Sequence, residues 1–315
     1  MMHYLEFERP IAALREQIDA LRKSADEQDI DVAAEIDKLE GKAIAQLRDI
    51  YAKLTPWQKT MVARHPDRPH FNALIAGVFD DYMPLAGDRA FGDDQAILGG
   101  LARLDGRRVV VIGHEKGHDT QSRLRHNFGM GKPEGYRKAI RLMQLAERFD
   151  LPVVTLVDTS GAFPGVEAEE RGQAEAIARS TEQCLALGVP MVAAVVGEGG
   201  SGGAIALAAA DKVLMFEHAV YAVISPEGCA SILWRTGEKA ADAAAAMRVT
   251  AQDLAALGVI DTIVAEPLGG AHRDPVAAMA ALKTALVNAL DGLGDVRGDA
   301  LRHAREEKFL AIGRI

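Results

Sequence analysis

The run Gly197-Glu198-Gly199-Gly200-Ser201-Gly202-Gly203-Ala204 sets five glycines among eight residues. Without Cβ atoms the backbone can approach a ligand closely and adopt positive φ. Where such a run opens a helix, successive N–H groups have no intrahelical partner and face whatever lies above them. Two of them aimed at one oxygen form an oxyanion hole, worth about 3–4 kcal/mol of transition-state stabilisation per donor. A tight turn packing a helix on a sheet would also use glycine, but a second turn of the same kind favours the chemical reading. It is Asp158-Thr159-Ser160-Gly161-Ala162-Phe163-Pro164-Gly165, directly after the apolar run Val153–Val157. In an open α/β sheet the carboxyl ends of neighbouring strands share the ligand crevice, so both turns can face one pocket. Phe163 and Pro164 would line it with apolar surface, and Ser225-Pro226-Glu227-Gly228-Cys229 is a candidate third wall.

The same residues spell other motifs. Gly197-x-Gly199-x-x-Gly202 fits the dinucleotide fingerprint, but the helix after it is short and the unit lies deep in the chain. Gly199-x-Ser201-x-Gly203 fits a nucleophile elbow, with Asp211, Asp261 and His272 following as triad candidates; a serine hydrolase is the main rival. No Lys-Ser or Lys-Thr follows the glycines, which excludes a P-loop. His114-Glu115-Lys116-Gly117-His118 reads as the H-E-x-x-H of zinc peptidases, which needs both histidines on one helical face. Gly113 and Gly117 bracket it after an apolar strand, so a loop without metal is expected.

Strand-then-helix repetition must hold these turns. Val109–Ile112, Val153–Val157, Met191–Val196, Val213–Phe216, Ala219–Ile224 and Ile260–Val264 are apolar at successive positions, as strands buried on both faces are. Helices are predicted at Tyr136–Phe149, Glu167–Leu187, Ala204–Ala210, Ala240–Met247, Ala251–Leu257 and Pro275–Leu290. This is an α/β architecture with a parallel sheet. Before it, Ile11, Leu14, Ile18 and Leu21, then Ile36, Leu39, Ala43, Leu47, Ile50 and Leu54, recur at helical spacing on either side of the polar Ser24–Asp29 stretch. Two amphipathic helices follow, either a hairpin on its own core or an arm that contacts another subunit. The division expected is 1–54, 55–294 and, from Asp295 onward, a charged tail 295–315 that is mobile or an unpaired helix.

Composition bounds the function. The 315 residues are 49% apolar but only 5% aromatic, so the core is built of small aliphatic residues. A net charge of −9 argues against general affinity for nucleic acid or anionic membranes. Cys184 and Cys229 form no C-x-x-C pair, which points to a reducing, cytoplasmic compartment without disulfides or a cysteine zinc site. Residues 1–10 lack a signal-peptide pattern and no apolar stretch is read as transmembrane. A non-enzymatic scaffold led by the N-terminal helices is a third reading.

Several strings, in this order, are unusual and long: Arg64-His65-Pro66, Asn127-Phe128-Gly129-Met130, Pro133-Glu134-Gly135-Tyr136-Arg137-Lys138 and Ala168-Glu169-Glu170-Arg171-Gly172-Gln173. They continue with Gly197 to Ala204, Val223 to Trp234 and EPLGGAHR at Glu266 to Arg273. From Phe7-Glu8 to about Asp274 the chain resembles the α subunits of multisubunit bacterial and plastid-type acetyl-CoA carboxylase, in the carboxyltransferase component. Ser160 and Phe163 stand where DTPGAYPG is usual, His118 replaces the arginine of GHQKGR, and His126 an arginine before NFGM. Histidine is mostly neutral at pH 7, so any hold of those arginines on phosphate or carboxylate does not carry over.

The resemblance implies a crotonase-like (ClpP/crotonase) spiral of ββα units with an N-terminal helical extension. It implies transfer of a carboxyl group from biotin, borne by a separate carrier protein, to acetyl-CoA, giving malonyl-CoA for fatty acid synthesis. The implied partners are a carboxyltransferase β subunit in an α2β2 assembly, the biotin carboxyl carrier protein and biotin carboxylase, with no metal in this chain. Loss of the carboxyl group leaves charge on the ureido oxygen, which calls for preorganised donors rather than a nucleophile. By this resemblance the backbone N–H groups of Gly202, Gly203 and Ala204 are the oxyanion donors. Gly161, Ala162, Phe163, Pro164, Gly199 and Gly200 form the biotin wall. Glu198, Ser225, Pro226, Glu227 and Gly228 order the supporting loops.

Overall fold

In the computed structural model, which describes residues 3–28 and 31–314, the apolar runs pair into one sheet of eight strands. They are β1 (Asp80–Pro84), β2 (Ile97–Leu104), β3 (Arg107–His114), β4 (Val153–Thr159), β5 (Met191–Gly200), β6 (Lys212–Phe216), β7 (Val220–Ala222) and β8 (Thr262–Val264). The order is β1-β2-β3-β4-β5-β6-β8, and β7 pairs with the carboxyl end of β5. β1 pairs antiparallel with β2 and β2 antiparallel with β3, and β3 through β8 run parallel. Every residue of β4 is buried, as are the first nine of β5, so both strands lie between layers of helix.

Four predicted strands are observed as cores of β3, β4, β5 and β6, while Ala219–Ile224 contracts to β7 and Ile260–Val264 to β8. β1 and β2 were not anticipated, because the Gly99-Gly100 pair inside β2 reads as a break. The glycine is instead a spacing requirement: a Cβ on Gly100 would lie 2.0 Å from the Met83 carbonyl oxygen of β1.

Glu167–Leu187, expected as one helix, is two: Val166–Glu170 and Gln173–Ala186, parted by Gly172 at φ +80°. The helices Pro56–Ala63, Phe71–Val78 and Pro226–Trp234 are additions to the predicted set, and the last two position the site. At the N-terminus, Arg9–Gln28 packs against Ala33–Tyr51 as a hairpin, with Ile11, Leu14 and Ile18 buried. The first helix runs through the polar stretch that was to separate them; Asp29 lies outside the described residues. Glu8 fastens the hairpin to the body: it is fully buried and accepts from the Tyr51 hydroxyl (2.9 Å) and the Arg273 guanidinium (2.6 Å).

Two expectations are corrected at the C-terminus. Residues Gly298–Ala311 form a docked helix, anchored by Arg305, which is 1% exposed and pairs with Asp211. Pro275–Leu293 is long and apolar enough by length and composition to cross a membrane, contrary to the sequence reading. Its Ala278, Leu282, Leu286 and Leu290, spaced every four residues, are buried in the common core.

Candidate active site

β4 and β5 are parallel neighbours, so both glycine turns leave the sheet on the same side. They touch. A Cβ on Gly200 would fall 2.2 Å from the Ser160 carbonyl oxygen, and one on Gly203 would fall 2.7 Å from the Gly161 carbonyl carbon. Thr159 locks the first turn by accepting from the Gly161 N–H (3.1 Å) and donating to the Gly161 carbonyl (2.7 Å). The Phe163 N–H donates to the Gly131 carbonyl, and the Phe163 ring lies under the Lys132 ammonium at 4.7 Å. Of this turn, Ser160 reaches the cleft, while Phe163 and Pro164 are not among the residues that line it.

The second turn enters the helix Ser201–Ala208 with Gly200 as its cap and Ser201 at φ +50°. Gly202 and Gly203 are the second and third helical residues, so their N–H groups have no partner one turn back. Ala204, fully buried, stands fourth, the position whose N–H in a regular helix meets the cap carbonyl. A narrow cleft beside them is lined by Ser160, Gly199, Gly200, Ala222, Ser225 and Pro226. Ser225 caps Pro226–Trp234 by accepting from the Gly228 N–H at 3.1 Å. The expected residues are therefore brought together in part: Glu198, Gly199, Gly200, Ser225 and Pro226 line the cleft, while Gly161, Ala162, Gly202 and Gly203 are not among its lining residues.

A charged cluster holds these loops; the expected Glu198 and Glu227 are joined there by Arg64, His70, Lys116 and Asp158. Arg64 donates to Glu198 (2.6 Å) and to Glu227 (2.5 Å), bridging the glycine turn and the helix Pro226–Trp234. Lys116 pairs with both Glu198 and Asp158 at 2.8 Å. Asp158 also accepts from His70 Nδ1 (2.9 Å) and from the Glu198 N–H (3.0 Å). Burial alone would raise the carboxyl of Asp158, but Lys116 and His70 hold it far below the usual range. Burial likewise opposes the charged form of Lys116, and Asp158 and Glu198 overcome it. Glu198 stays ionised in the same way, through Lys116 and Arg64. Arg64-His65-Pro66 was the available signal for this cluster, which joins residues as far as 163 apart in sequence.

The rival motifs do not assemble. Asp211 is bound to Arg305, Asp261 to Lys308, and His272 stacks on His65 with ring centroids 3.7 Å apart, so none serves Ser201. His114 ends β3 and accepts from the Asp158 N–H (3.4 Å), whereas His118 lies in a non-helical segment and pairs with Asp119. The zinc-peptidase geometry is thus missing. His126 Nδ1 meets the Gln95 carbonyl at 2.5 Å.

The profile of the family described as acetyl co-enzyme A carboxylase carboxyltransferase-like matches residues 4–313. A Sphingopyxis alaskensis protein named acetyl-coenzyme A carboxylase carboxyl transferase subunit alpha is 73% identical over 314 residues, with 100% of both chains covered. One of the same name from Zymomonas mobilis is 66% identical over 314 residues, covering 99% of this chain and 100% of its own. Among solved structures, the transcarboxylase 12S core superposes with a TM-score of 0.59 at 22% identity, over 71% of this chain and 41% of that one. A Pseudomonas malonate decarboxylase hetero-tetramer in complex with coenzyme A gives 0.57 at 19% identity, over 70% and 92%. The structural likenesses establish the crotonase-like fold.

Proposed function

The chain belongs to the acetyl-CoA carboxylase carboxyltransferase α-subunit family, and from that premise we propose that its apposed glycine turns form the biotin side of a carboxyl-transfer site completed by a β subunit. It is a carboxyltransferase subunit, and the serine-hydrolase alternative falls with the missing triad. The proposed reaction moves a carboxyl group from biotin on its carrier protein to acetyl-CoA, giving malonyl-CoA, in a cytoplasmic α2β2 assembly served by biotin carboxylase. Residues 1–54 are read as the helical extension, 55–294 as the carboxyltransferase domain and 295–315 as the C-terminal segment; Met1, Met2 and Ile315 lie outside the described residues.

Biotin supplies a ureido nitrogen that carries the carboxyl group and a ureido oxygen that takes up charge as it leaves. This chain's part is to hold that oxygen. The N–H groups of Gly202 and Gly203, free at the helix start, are the donors in this reading, with Ala204 a lesser one. Gly199 and Gly200 form the wall, the Gly161–Ala162 peptide backs it where it meets Gly203, and Glu198, Ser225, Pro226, Glu227 and Gly228 fix its loops. The fit is tested by the cleft's own chemistry. Gly199, Gly200 and Ala222 make one side of it narrow, Val220, Ile224 and Val249 give it apolar surface, and the carboxylate of Glu198 is neutralised by Arg64 and Lys116. A flat, uncharged bicycle suits such a slot better than a nucleotide would.

The observation that carries the reading is the contact between the two turns, which leaves no space for a Cβ at Gly200 or Gly203. The test is co-expression with a candidate β subunit and assay of malonyl-CoA-dependent carboxylation of free biotin. Transfer by the complex, absent from either chain alone, is expected. A well-folded complex without transfer would overturn the proposal.

A further inference from the structure

A second cavity adjoins the glycine-lined cleft and shares Arg64, Ser160 and Glu198 with it. Its lining carries three permanent cations, Arg64, Lys116 and Arg123, against a single carboxylate, Glu198. That carboxylate is divided between Arg64 (2.6 Å) and Lys116 (2.8 Å). Lys116 is held further by Asp158, and Arg64 by Glu227. Arg123 differs from both. Among the described residues its side chain has no ion pair, and its guanidinium reaches only the Pro66 carbonyl, at 3.5 Å, too long for a strong hydrogen bond. Phe128, 47% exposed and at φ +54°, stands beside it on the cavity wall.

A half-exposed guanidinium on a cavity wall, with its neighbours already committed, is suited to a planar anion that it can grip with two parallel N–H donors. Resting on the carboxyltransferase reading, the reactants adjacent to this cavity are carboxylates on either side of the transfer. We propose that Arg123 is a carboxylate-binding residue of the site, which receives the free carboxylate of the malonyl-type acyl reactant in the cavity beyond Ser160. Arg64 and Lys116 build the wall and remain paired with their acids; Arg123 supplies the free charge. The glycine turns then face the ureido oxygen while Arg123 faces the carboxylate, with Ser160 on the wall common to both cavities.

The test uses the α chain in complex with its β partner, wild type and with Arg123→Ala or Arg123→Lys. In malonyl-CoA-dependent carboxylation of biotin, Arg123→Ala is expected to raise KM for malonyl-CoA roughly tenfold or more, as loss of a charge-assisted pair predicts. KM for biotin should stay within about twofold, and Arg123→Lys should recover part of the loss. Free malonate should compete with malonyl-CoA in the wild type and lose that competition in Arg123→Ala. An effect confined to the forward direction, on the carboxylated carrier, would overturn the assignment to the malonyl-type reactant. Unchanged KM values in both directions, with malonate equally effective on both proteins, would overturn the proposal while leaving wild-type transfer intact. Inorganic phosphate competing better than malonate would overturn it too.

Discussion

Ser201 is the residue on which the rival chemistries part. It opens its helix at φ +50°, a conformation that costs a residue with a Cβ roughly 1–2 kcal/mol. In a carboxyltransferase it is a spacer between glycines, so Ser201→Ala should keep carboxyl transfer within about twofold. Ser201→Gly should gain about 1 kcal/mol in urea unfolding by relieving the backbone. A loss of carboxyl transfer as large as a nucleophile's removal would overturn the spacer role. The two donor glycines should behave unequally. A methyl on Gly202 meets only Ile177, at 3.3 Å, whereas on Gly203 it drives into the Gly161–Ala162 peptide. Gly203→Ala should therefore displace both turns and lower kcat by roughly 10²–10³, the usual scale for a lost oxyanion donor. Gly202→Ala should be much milder, and kinetics of the purified complexes would decide. The charges around them argue the same point: Lys116 touches Asp158 and Glu198, and its removal leaves two buried carboxylates short of a partner.

Elements were legible where one local rule decided them. Val153–Val157 and Met191–Val196 are runs of apolar residues that only a doubly covered strand explains, and the glycine turns follow where the sheet ends. β2 was illegible because the reason for Gly99-Gly100, close approach of β1 and of the Val111 carbonyl, is set by residues from other strands. The split at Gly172 was missed since its helical stripes continue on both sides. The Arg64–Glu198–Lys116–Asp158 cluster escaped for a related reason: charge pairs across the fold leave no period in the sequence. The C-terminal helix is the clearest case. Its periodicity is weak because a charged residue, Arg305, does the anchoring. Arg305 grips Asp211 through two nitrogens at 2.8 Å and donates to the carbonyls of Cys184 and Leu187. Arg305→Ala would strand Asp211, so a loss of roughly 3–5 kcal/mol is expected in chemical denaturation. Limited proteolysis should then cut near residues 295–298 ahead of the rest of the chain, and survival of that segment would refute the anchoring role.

The whole molecule is held by polar seams as much as by its core, and the seams set its acid limit. His65 and His272 stack between the helix Pro56–Ala63 and the loop before Pro275–Leu293. His65 reaches the His3 carbonyl at 3.0 Å, and Tyr51 of the N-terminal hairpin lies edge-on to His218. Burial, then the adjacent His65, pushes His272 down to about 3; burial pushes His114, under the glycine turns, down to about 4. Both histidines are neutral in the fold and take protons near pH 6.5 once unfolded. The unfolded chain therefore binds more protons between pH 6.5 and 4, and stability falls as pH falls through that window. At pH 5 each histidine costs about 2 kcal/mol. Glu266, held down to about 2 by Arg68 against the effect of burial, contributes fully above the ordinary range of glutamate, and Asp94, pushed up to about 6 by burial, gains stability as pH falls and offsets part of the loss. Urea midpoints at pH 7.5 and 5 should differ in the wild type, with the loss smaller by about 2 kcal/mol in a folded His272→Asn or His114→Asn variant. A flat profile from pH 7.5 to 5 would refute the claim that His272 and His114 are neutral in the native protein.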